Sequence, residues 1–191
     1  MKPRHNPFRV ERIDALAFRP QGASWTELLV RLDEQRYRAA IVGADGSGKT
    51  TFLADLARRL PLVGRRPVLR VLKPESTRAE VRAAIDAAAA AGPKDVLLVD
   101  GADHLRRLDW WRLRRAGRRA GGLVIASHRA GLLPTLIETR TSAELVAELV
   151  RELAPELADR LAPELPTLLA QHHGNVRDAL RALYDRAAEI E

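Results

Sequence analysis

Residues 43–50 have the types and spacing of a phosphate-binding loop. They read GADGSGKT and match the pattern G-x-x-x-x-G-K-[ST]. Glycines let the backbone turn so that several N–H groups point at phosphate oxygens, and a following helix adds its positive N-terminal end. The residues predicted to bind nucleotide are Gly43, Ala44, Asp45, Gly46, Ser47, Gly48, Lys49, Thr50 and Thr51.

Two of these side chains carry specific chemistry. Lys49 supplies a mobile positive charge for the β- and γ-phosphates, and the Thr50 hydroxyl is placed to hold Mg²⁺. A second Mg²⁺ ligand is predicted at Asp100, which ends the apolar run VLLV at 96–99 and would hold the ion through water. The predicted cofactors are therefore ATP or ADP and Mg²⁺, with Thr50 and Asp100 as the metal ligands.

A carboxylate expected beside the Mg²⁺ ligand is missing. Many ATPases place a Glu directly after this Asp to polarise the attacking water, but here the position is Gly101. The nearest alternatives are Asp103 and His104. Asp103 reaches the water only if the chain turns at Gly101, and otherwise it is interpreted as a cap of the next helix.

Two further polar residues follow the apolar run LVIA at 123–126. Ser127 and His128 are predicted to lie beside the third strand, where a polar group can hydrogen-bond the water or the γ-phosphate. The alternative interpretation is ordinary polarity at a strand end.

Apolar runs and helical patterns alternate along the chain. The runs at 38–43, 68–72, 96–99, 123–126 and 136–140 predict five strands. Between them lie a helical pattern at 50–60, a helix capped by Ser76, and a helix that Asp109 would cap before Trp110. Because the strands are almost uniformly apolar, we expect an α/β fold: a five-stranded parallel P-loop NTPase sheet flanked by helices.

The chain divides into three predicted segments. Residues 1–37 form an N-terminal arm and one helix from Ser24 to about Glu34, and residues 38–140 form the nucleotide-binding core. Residues 141–191 have an apolar stripe at helical spacing and three prolines, which predict a small helical lid of short helices. Asn175 is expected to cap the last helix, with Asp178 completing a motif similar to a capping box.

These motifs together resemble an ASCE-type P-loop ATPase. More narrowly, the chain is similar to the AAA+ group, including the small ATPases of secretion and transposition systems. Residues 100–105 (DGADHL) resemble the family's D-E-A-x-x-L, with Gly101 in place of Glu, and residues 174–180 (GNVRDAL) resemble its sensor-2 motif G-x-x-R. Residues 6–8 (NPF) resemble an arm that precedes the core.

The resemblance implies further roles. Arg177 would extend from the lid to the phosphates, where a guanidinium suits bidentate contact, and a solvated helix Arg is the alternative. The arm at Phe8, Arg9 and Val10 would contact adenine. An arginine finger given in trans by a neighbouring subunit would be Arg129 or Arg140. Since Gly101 replaces the Glu, we expect ATP binding with slow or partner-stimulated hydrolysis.

The net charge of +7 is unevenly distributed. Residues 1–140 carry 27 basic and 15 acidic side chains, whereas residues 141–191 carry 5 and 10. Residues 106–119 hold seven Arg and two Trp, which suggests nucleic-acid binding through phosphate contacts and base stacking. The alternatives are a solvated face, which is the more usual role of an Arg-rich helix, and contact with the acidic lid of a neighbouring subunit or with a protein partner.

The remaining expectations concern location and activity class. The chain has no Cys, no secretory signal and no apolar run of 18 residues, so we expect a cytoplasmic protein without a membrane span. Two alternatives to an ATPase stay open: a small-molecule kinase, since phosphate-loop kinases have similar length, and a nucleic-acid-binding ATPase that uses residues 106–119.

Overall fold

A computed structural model describes residues 6–189, and these form two compact units. The first unit contains the described chain up to Phe18, the loop Ala44–Gly48 and the described chain from Arg140. The second unit contains Arg19–Gly43 and Lys49–Thr139. The predicted N-terminal segment, 1–37, therefore contributes to both units. No helix within residues 6–189 is long and apolar enough to cross a lipid bilayer.

The second unit is built on a five-stranded parallel sheet, which confirms the predicted α/β fold class. Its strands lie in the order β2-β3-β4-β1-β5. All four neighbouring pairs are parallel. The strands are β1 (Arg38–Gly43), β2 (Arg66–Val71), β3 (Asp95–Asp100), β4 (Gly122–Ser127) and β5 (Thr135–Thr139).

Helices cover both faces of this sheet, as the uniformly apolar strands predicted. The helices of this unit are α2 (Trp25–Glu34), α3 (Lys49–Arg59), α4 (Arg78–Ala90) and α5 (Arg107–Ala116). On one face, Leu97 and Ile125 share a buried cluster with Ala88 of α4 and Leu113 of α5. Their strand neighbours point to the other face, where Leu98 is also buried and α3 contacts β1, β3 and β4.

Two helix starts differ from the sequence prediction. Thr77, not Ser76, caps α4, because Glu80 lies three residues later and completes a capping box. The Ser76 hydroxyl instead accepts a hydrogen bond from the Lys73 N–H. Helix α5 begins at Arg107 without a side-chain cap, so Asp109 lies inside its first turn and accepts a hydrogen bond from Arg112. The predicted helix from Ser24 to about Glu34 is confirmed as α2, and Ser24 caps it in a capping box with Glu27.

The described part of the first unit is helical. Its helices are α1 (Val10–Asp14), α6 (Ala143–Leu153), α7 (Ala158–Leu161), α8 (Leu165–Gln171) and α9 (Val176–Glu189). Buried apolar side chains from α1, α6, α8 and α9 form one core. Phe8 belongs to this core, and Asn6 beside it donates a hydrogen bond to the carbonyl of Tyr184 in α9. The short helix α1 within the arm was not predicted.

Candidate functional site

The two predicted Mg²⁺ ligands meet in the second unit. The Thr50 hydroxyl, in the first turn of α3, donates a hydrogen bond to Asp100 Oδ2 at the end of β3, over 2.6 Å. Hydroxyl and carboxylate oxygens are hard donors of the kind that Mg²⁺ prefers. The pair therefore fits a Mg²⁺ ion whose other ligands are phosphate oxygens and water, which is how Mg²⁺ is usually held at phosphate sites.

Metal binding by side chains alone has no support in the described chain. Within residues 6–189, no group of three or more His, Cys, Asp or Glu side chains could hold a metal ion. Mg²⁺ usually binds through one or two carboxylates together with substrate phosphates. Thr50 and Asp100 supply one hydroxyl and one carboxylate toward such a set.

Lys49 lies at the first residue of α3, in the second unit. Its Nζ donates a hydrogen bond over 2.8 Å to the carbonyl oxygen of Gly43, the last residue of β1. The side chain is mostly buried. This bond joins the residue before the loop Ala44–Gly48 to the residue after it.

The loop Ala44–Gly48 itself belongs to the first unit. Ser47 is buried, and its hydroxyl donates to the Ala44 carbonyl oxygen over 2.8 Å, which closes the turn from inside. Gly46 has φ +67°, and a Cβ there would overlap the Asn175 side chain. The loop backbone therefore packs directly against the residue that caps α9, and only glycine fits this approach.

Asn175 is confirmed as the cap of α9. Its Oδ1 accepts the Asp178 N–H over 3.2 Å, and its Nδ2 donates to Asp178 Oδ2 over 2.7 Å. Arg177 lies two residues beyond this cap. Its Nη2 pairs with Asp14 Oδ1 of α1 at 2.8 Å, and both side chains are about half exposed. Arg177 therefore lies two residues after the residue that packs against the loop, and its guanidinium is paired with the Asp14 carboxylate.

The residues of the predicted adenine-contacting arm differ in their exposure to solvent. Phe8 is buried in the core of the first unit, while Val10 is partly exposed at the start of α1. The two arginine-finger candidates, Arg129 and Arg140, are both exposed. Thr51 lies in the first turn of α3 and is partly buried.

Gly101 is crowded as well as left-handed. Its φ is +74°, and a Cβ there would overlap the carbonyl oxygen of Leu72 and crowd the His104 ring. The Leu72 N–H donates to the Asp100 carbonyl over 2.9 Å, so the two segments are held together at this point. The absence of the expected Glu therefore has a local cause, because the backbone leaves no room for a side chain.

The chain does turn at Gly101, and Asp103 then meets His128. After Gly101, residues Ala102–His104 form one turn of 3-10 helix. Asp103 Oδ2 lies 2.6 Å from His128 Nδ1. Asp103 Oδ1 is buried and accepts no hydrogen bond from any other residue of the described chain. The sequence pointed to both residues separately, but it gave no signal that they form a pair.

The charge of Asp103 is stabilised by this contact. Burial raises the pKa of its carboxyl, but the hydrogen bonds from the His128 ring and from its own backbone N–H, with the positive charge that the His128 and His104 rings carry when protonated, together lower it below the ordinary aspartic acid value. Asp103 is therefore an ionised acceptor at neutral pH, and His128 Nδ1 must carry the proton between them.

Ser127 organises the turn that presents His128. It is fully buried at the end of β4; its hydroxyl donates to the Arg129 carbonyl over 2.9 Å and accepts the Arg129 N–H over 3.0 Å. These two bonds join the residues before and after His128 and so fix the turn that carries it. Strand β4 pairs with β3 and with β1, which confirms the predicted neighbourhood of Ser127 and the third strand.

The carboxyl ends of β1, β3 and β4 therefore bring together Lys49, Thr50, Asp100, Asp103 and His128 at one edge of the sheet. In parallel α/β sheets ligands bind at this edge. Comparison with models of known protein families gives no match, and comparison with curated proteins gives none either.

Proposed function

We propose that this chain binds Mg²⁺–ATP and hydrolyses it, as a nucleotide-dependent switch of the AAA+-like P-loop type. The observation that carries the proposal is the hydrogen bond between Thr50 and Asp100. It joins the end of the GKT sequence to the carboxyl end of the buried strand β3, as a shared Mg²⁺ site requires.

The phosphates are proposed to bind along the loop at residues 43–50. Lys49 exchanges its bond to the Gly43 carbonyl for phosphate oxygens, since charge-assisted bonds are stronger than bonds to a neutral acceptor. The N-terminal end of α3 adds a positive dipole at the same position. ATP is thus held by electrostatic contacts that need no change in the strands.

Arg177 is proposed to contact the phosphates from α9. Asn175 packs against Gly46, which places the first turn of α9 beside the loop. To reach a phosphate, Arg177 must leave Asp14, and the exchange of one anionic partner for another costs little because both side chains are half exposed. This contact supports a role for the C-terminal helices in reporting bound nucleotide.

The test is the Mg²⁺ dependence of ATP binding and turnover in two variants. Thr50→Ala and Asp100→Asn each remove one proposed Mg²⁺ ligand, so we expect the concentration of Mg²⁺ that gives half-maximal activity to rise at least about tenfold. ATP binding without Mg²⁺ should change little. Activity is measured as phosphate release without an added acceptor, which also separates an ATPase from a kinase.

Two surface variants serve as controls. Thr135→Ala and Asp86→Asn make the same chemical changes at exposed positions in the same unit. They should keep the Mg²⁺ dependence of the unaltered protein. An equal response in all four variants, or no response in any, would exclude Thr50 and Asp100 as the metal site.

A second candidate function, binding of single-stranded nucleic acid, is favoured by the surface of α5. All seven Arg between positions 106 and 119 are exposed. Trp111 is 57% exposed, and the Arg115 guanidinium lies 5.7 Å from its ring centre, while Trp110 packs toward the sheet. Exposed aromatic rings can stack on unpaired bases, and flanking arginines can contact the phosphates.

We expect this surface to give salt-dependent binding of a single-stranded oligonucleotide. The double variant Arg107→Gln with Arg115→Gln should make the slope of log affinity against log salt less steep. The magnitude of the slope should fall by about 0.7 for each phosphate that is no longer neutralised. Trp111→Ala should weaken binding by about 1–3 kcal/mol with little change in slope. Fluorescence anisotropy at several salt concentrations measures both quantities.

Arg151→Gln is the control, since it removes the same charge from an exposed site in the first unit. A uniform loss of affinity in the control and in the α5 variants would indicate a general charge effect. No oligonucleotide binding at low salt would leave α5 as a solvated or protein-binding surface.

A further inference from the structure

We propose that Asp103 and His128 act as one unit that activates the attacking water, in the role for which Gly101 provides no carboxylate. This inference rests on the proposed function, because it assigns the water-activating groups of the same ATP site. It differs from the sequence prediction, which treated the two residues as separate alternatives.

Gly101 itself cannot supply the missing group. A side chain there meets the Leu72 carbonyl oxygen, and the left-handed backbone disfavours any residue with a Cβ. The same turn, however, carries Asp103 to the carboxyl edge of the sheet as part of the 3-10 turn Ala102–His104. The feature that removes the usual carboxylate thus places another one two residues later.

His128 reaches this carboxylate from the neighbouring strand. β4 pairs with β3, and the turn after β4 is fixed by the bonds between Ser127 and Arg129. The contact of 2.6 Å between Asp103 Oδ2 and His128 Nδ1 is short, as expected for a hydrogen bond to an ionised acceptor. The titratable groups that face His128 include Asp103 and the His104 ring, whose centre lies 6.2 Å away.

The pairing determines which ring nitrogen accepts a proton. Because ionised Asp103 can only accept, Nδ1 carries the hydrogen and Nε2 of the neutral ring carries the lone pair. A carboxylate that fixes the tautomer and stabilises the imidazolium is the arrangement by which His acts as a general base elsewhere. His128 is therefore the catalytic residue, and Asp103 is a positioning residue.

The step balances without an additional reactant. The water oxygen forms a bond to the γ-phosphorus, and one water proton passes to His128 Nε2. The bond between the γ-phosphorus and the bridging oxygen breaks, and its electron pair stays on the β-phosphate of ADP. His128 then gives its proton to solvent, which leaves ADP, inorganic phosphate and one proton.

The test compares ATP affinity with turnover in His128→Gln and Asp103→Asn. General acid–base catalysis contributes about 10²- to 10⁴-fold, so we expect kcat to fall by about 100-fold or more in His128→Gln. The Kd for a fluorescent ATP analogue should change less than about twofold, since in this role His128 contacts the attacking water and neither residue contacts the phosphates or Mg²⁺. Turnover of the unaltered protein should fall on acidification, because a protonated ring has no lone pair, and His128→Gln should lose this dependence.

A spectroscopic measurement is independent of nucleotide. The ¹⁵N spectrum of the His128 ring should show the Nδ1-protonated tautomer in the unaltered protein and a shift toward the Nε2-protonated form in Asp103→Asn. His172→Gln, a histidine change in the first unit, is the control and should leave kcat unchanged. Thermal unfolding of each variant separates loss of fold from loss of catalysis.

The outcomes separate the two proposals. Loss of turnover in His104→Gln but not in His128→Gln would assign the role to the other histidine and overturn the pair. Normal ATP binding with unchanged kcat in His128→Gln, or no hydrolysis by the unaltered protein, would overturn the pair and leave nucleotide binding intact. No ATP binding by the unaltered protein would overturn both.

Discussion

Lys49→Ala is expected to weaken ATP binding by about 10- to 150-fold and to reduce turnover below detection. The range follows from about 1.5–3 kcal/mol for a hydrogen bond to a charged group and 1.4 kcal/mol for each tenfold change in affinity. Turnover should fall further, because in the proposed site Lys49 also neutralises charge on the transferred phosphate. Isothermal titration with ATP and a phosphate-release assay measure the two effects.

A loss of folding stability could imitate this result. Lys49 donates to the Gly43 carbonyl, so its replacement removes one internal hydrogen bond of a charged group, worth about 1.5–3 kcal/mol of folding stability. Thermal unfolding of Lys49→Ala must therefore be measured beside binding. Lys94→Ala is the matched control, because Lys94 is exposed and immediately precedes β3, at the amino edge of the sheet. Unchanged ATP affinity and turnover in Lys49→Ala would refute the phosphate site.

Gly101→Glu is expected to damage the site, although it restores the residue that many ATPases have there. A residue other than glycine in the left-handed region costs about 1–2 kcal/mol. The added Cβ also overlaps the Leu72 carbonyl oxygen, so the ends of β2 and β3 must separate. We expect a loss of unfolding free energy of about 3 kcal/mol or more. The Mg²⁺ concentration that gives half-maximal activity should also rise, because Asp100 is the preceding residue.

Gly64→Glu separates the cost of the left-handed backbone from the cost of the overlap with Leu72. Gly64 has φ +73°, almost the same as Gly101, but a Cβ there meets nothing within 4 Å. Its variant should lose only the backbone term of about 1–2 kcal/mol and keep its turnover. Urea unfolding of both variants gives the difference. Equal stability of the two, with faster hydrolysis in Gly101→Glu, would show that the site accepts the Glu.

The strands were predictable because both faces of the sheet are covered. A strand buried on both sides reads as a continuous apolar run, so β1, β3 and β4 were found with bounds within one residue. The first residues of the helices were harder to predict, because more than one polar residue near each start can act as a cap. Thr77 prevails over Ser76 because Glu80 completes its capping box, a signal that was present in the sequence.

The sequence could propose candidate site residues only where one segment carries the whole motif. The loop and Asp100 follow from local motifs. The contact between Asp103 and His128 depends on the conformations of two separate turns, after Gly101 and after Ser127, which residue types alone do not determine. The pairing of Arg177 with Asp14 joins opposite ends of the chain through a short helix that the sequence did not reveal.

The packing of Gly46 against Asn175 has a thermodynamic consequence. On the proposed function, a phosphate that changes the loop backbone at Gly46 would also act on the cap of α9, whose hydrogen bond to Asp178 contributes about 1 kcal/mol to helix stability. Coupling between two equilibria is reciprocal, so a change in the cap that alters phosphate affinity is matched by an equal effect of bound phosphate on the cap. Hydrogen exchange of the Asp178 amide would therefore titrate with occupancy of the loop.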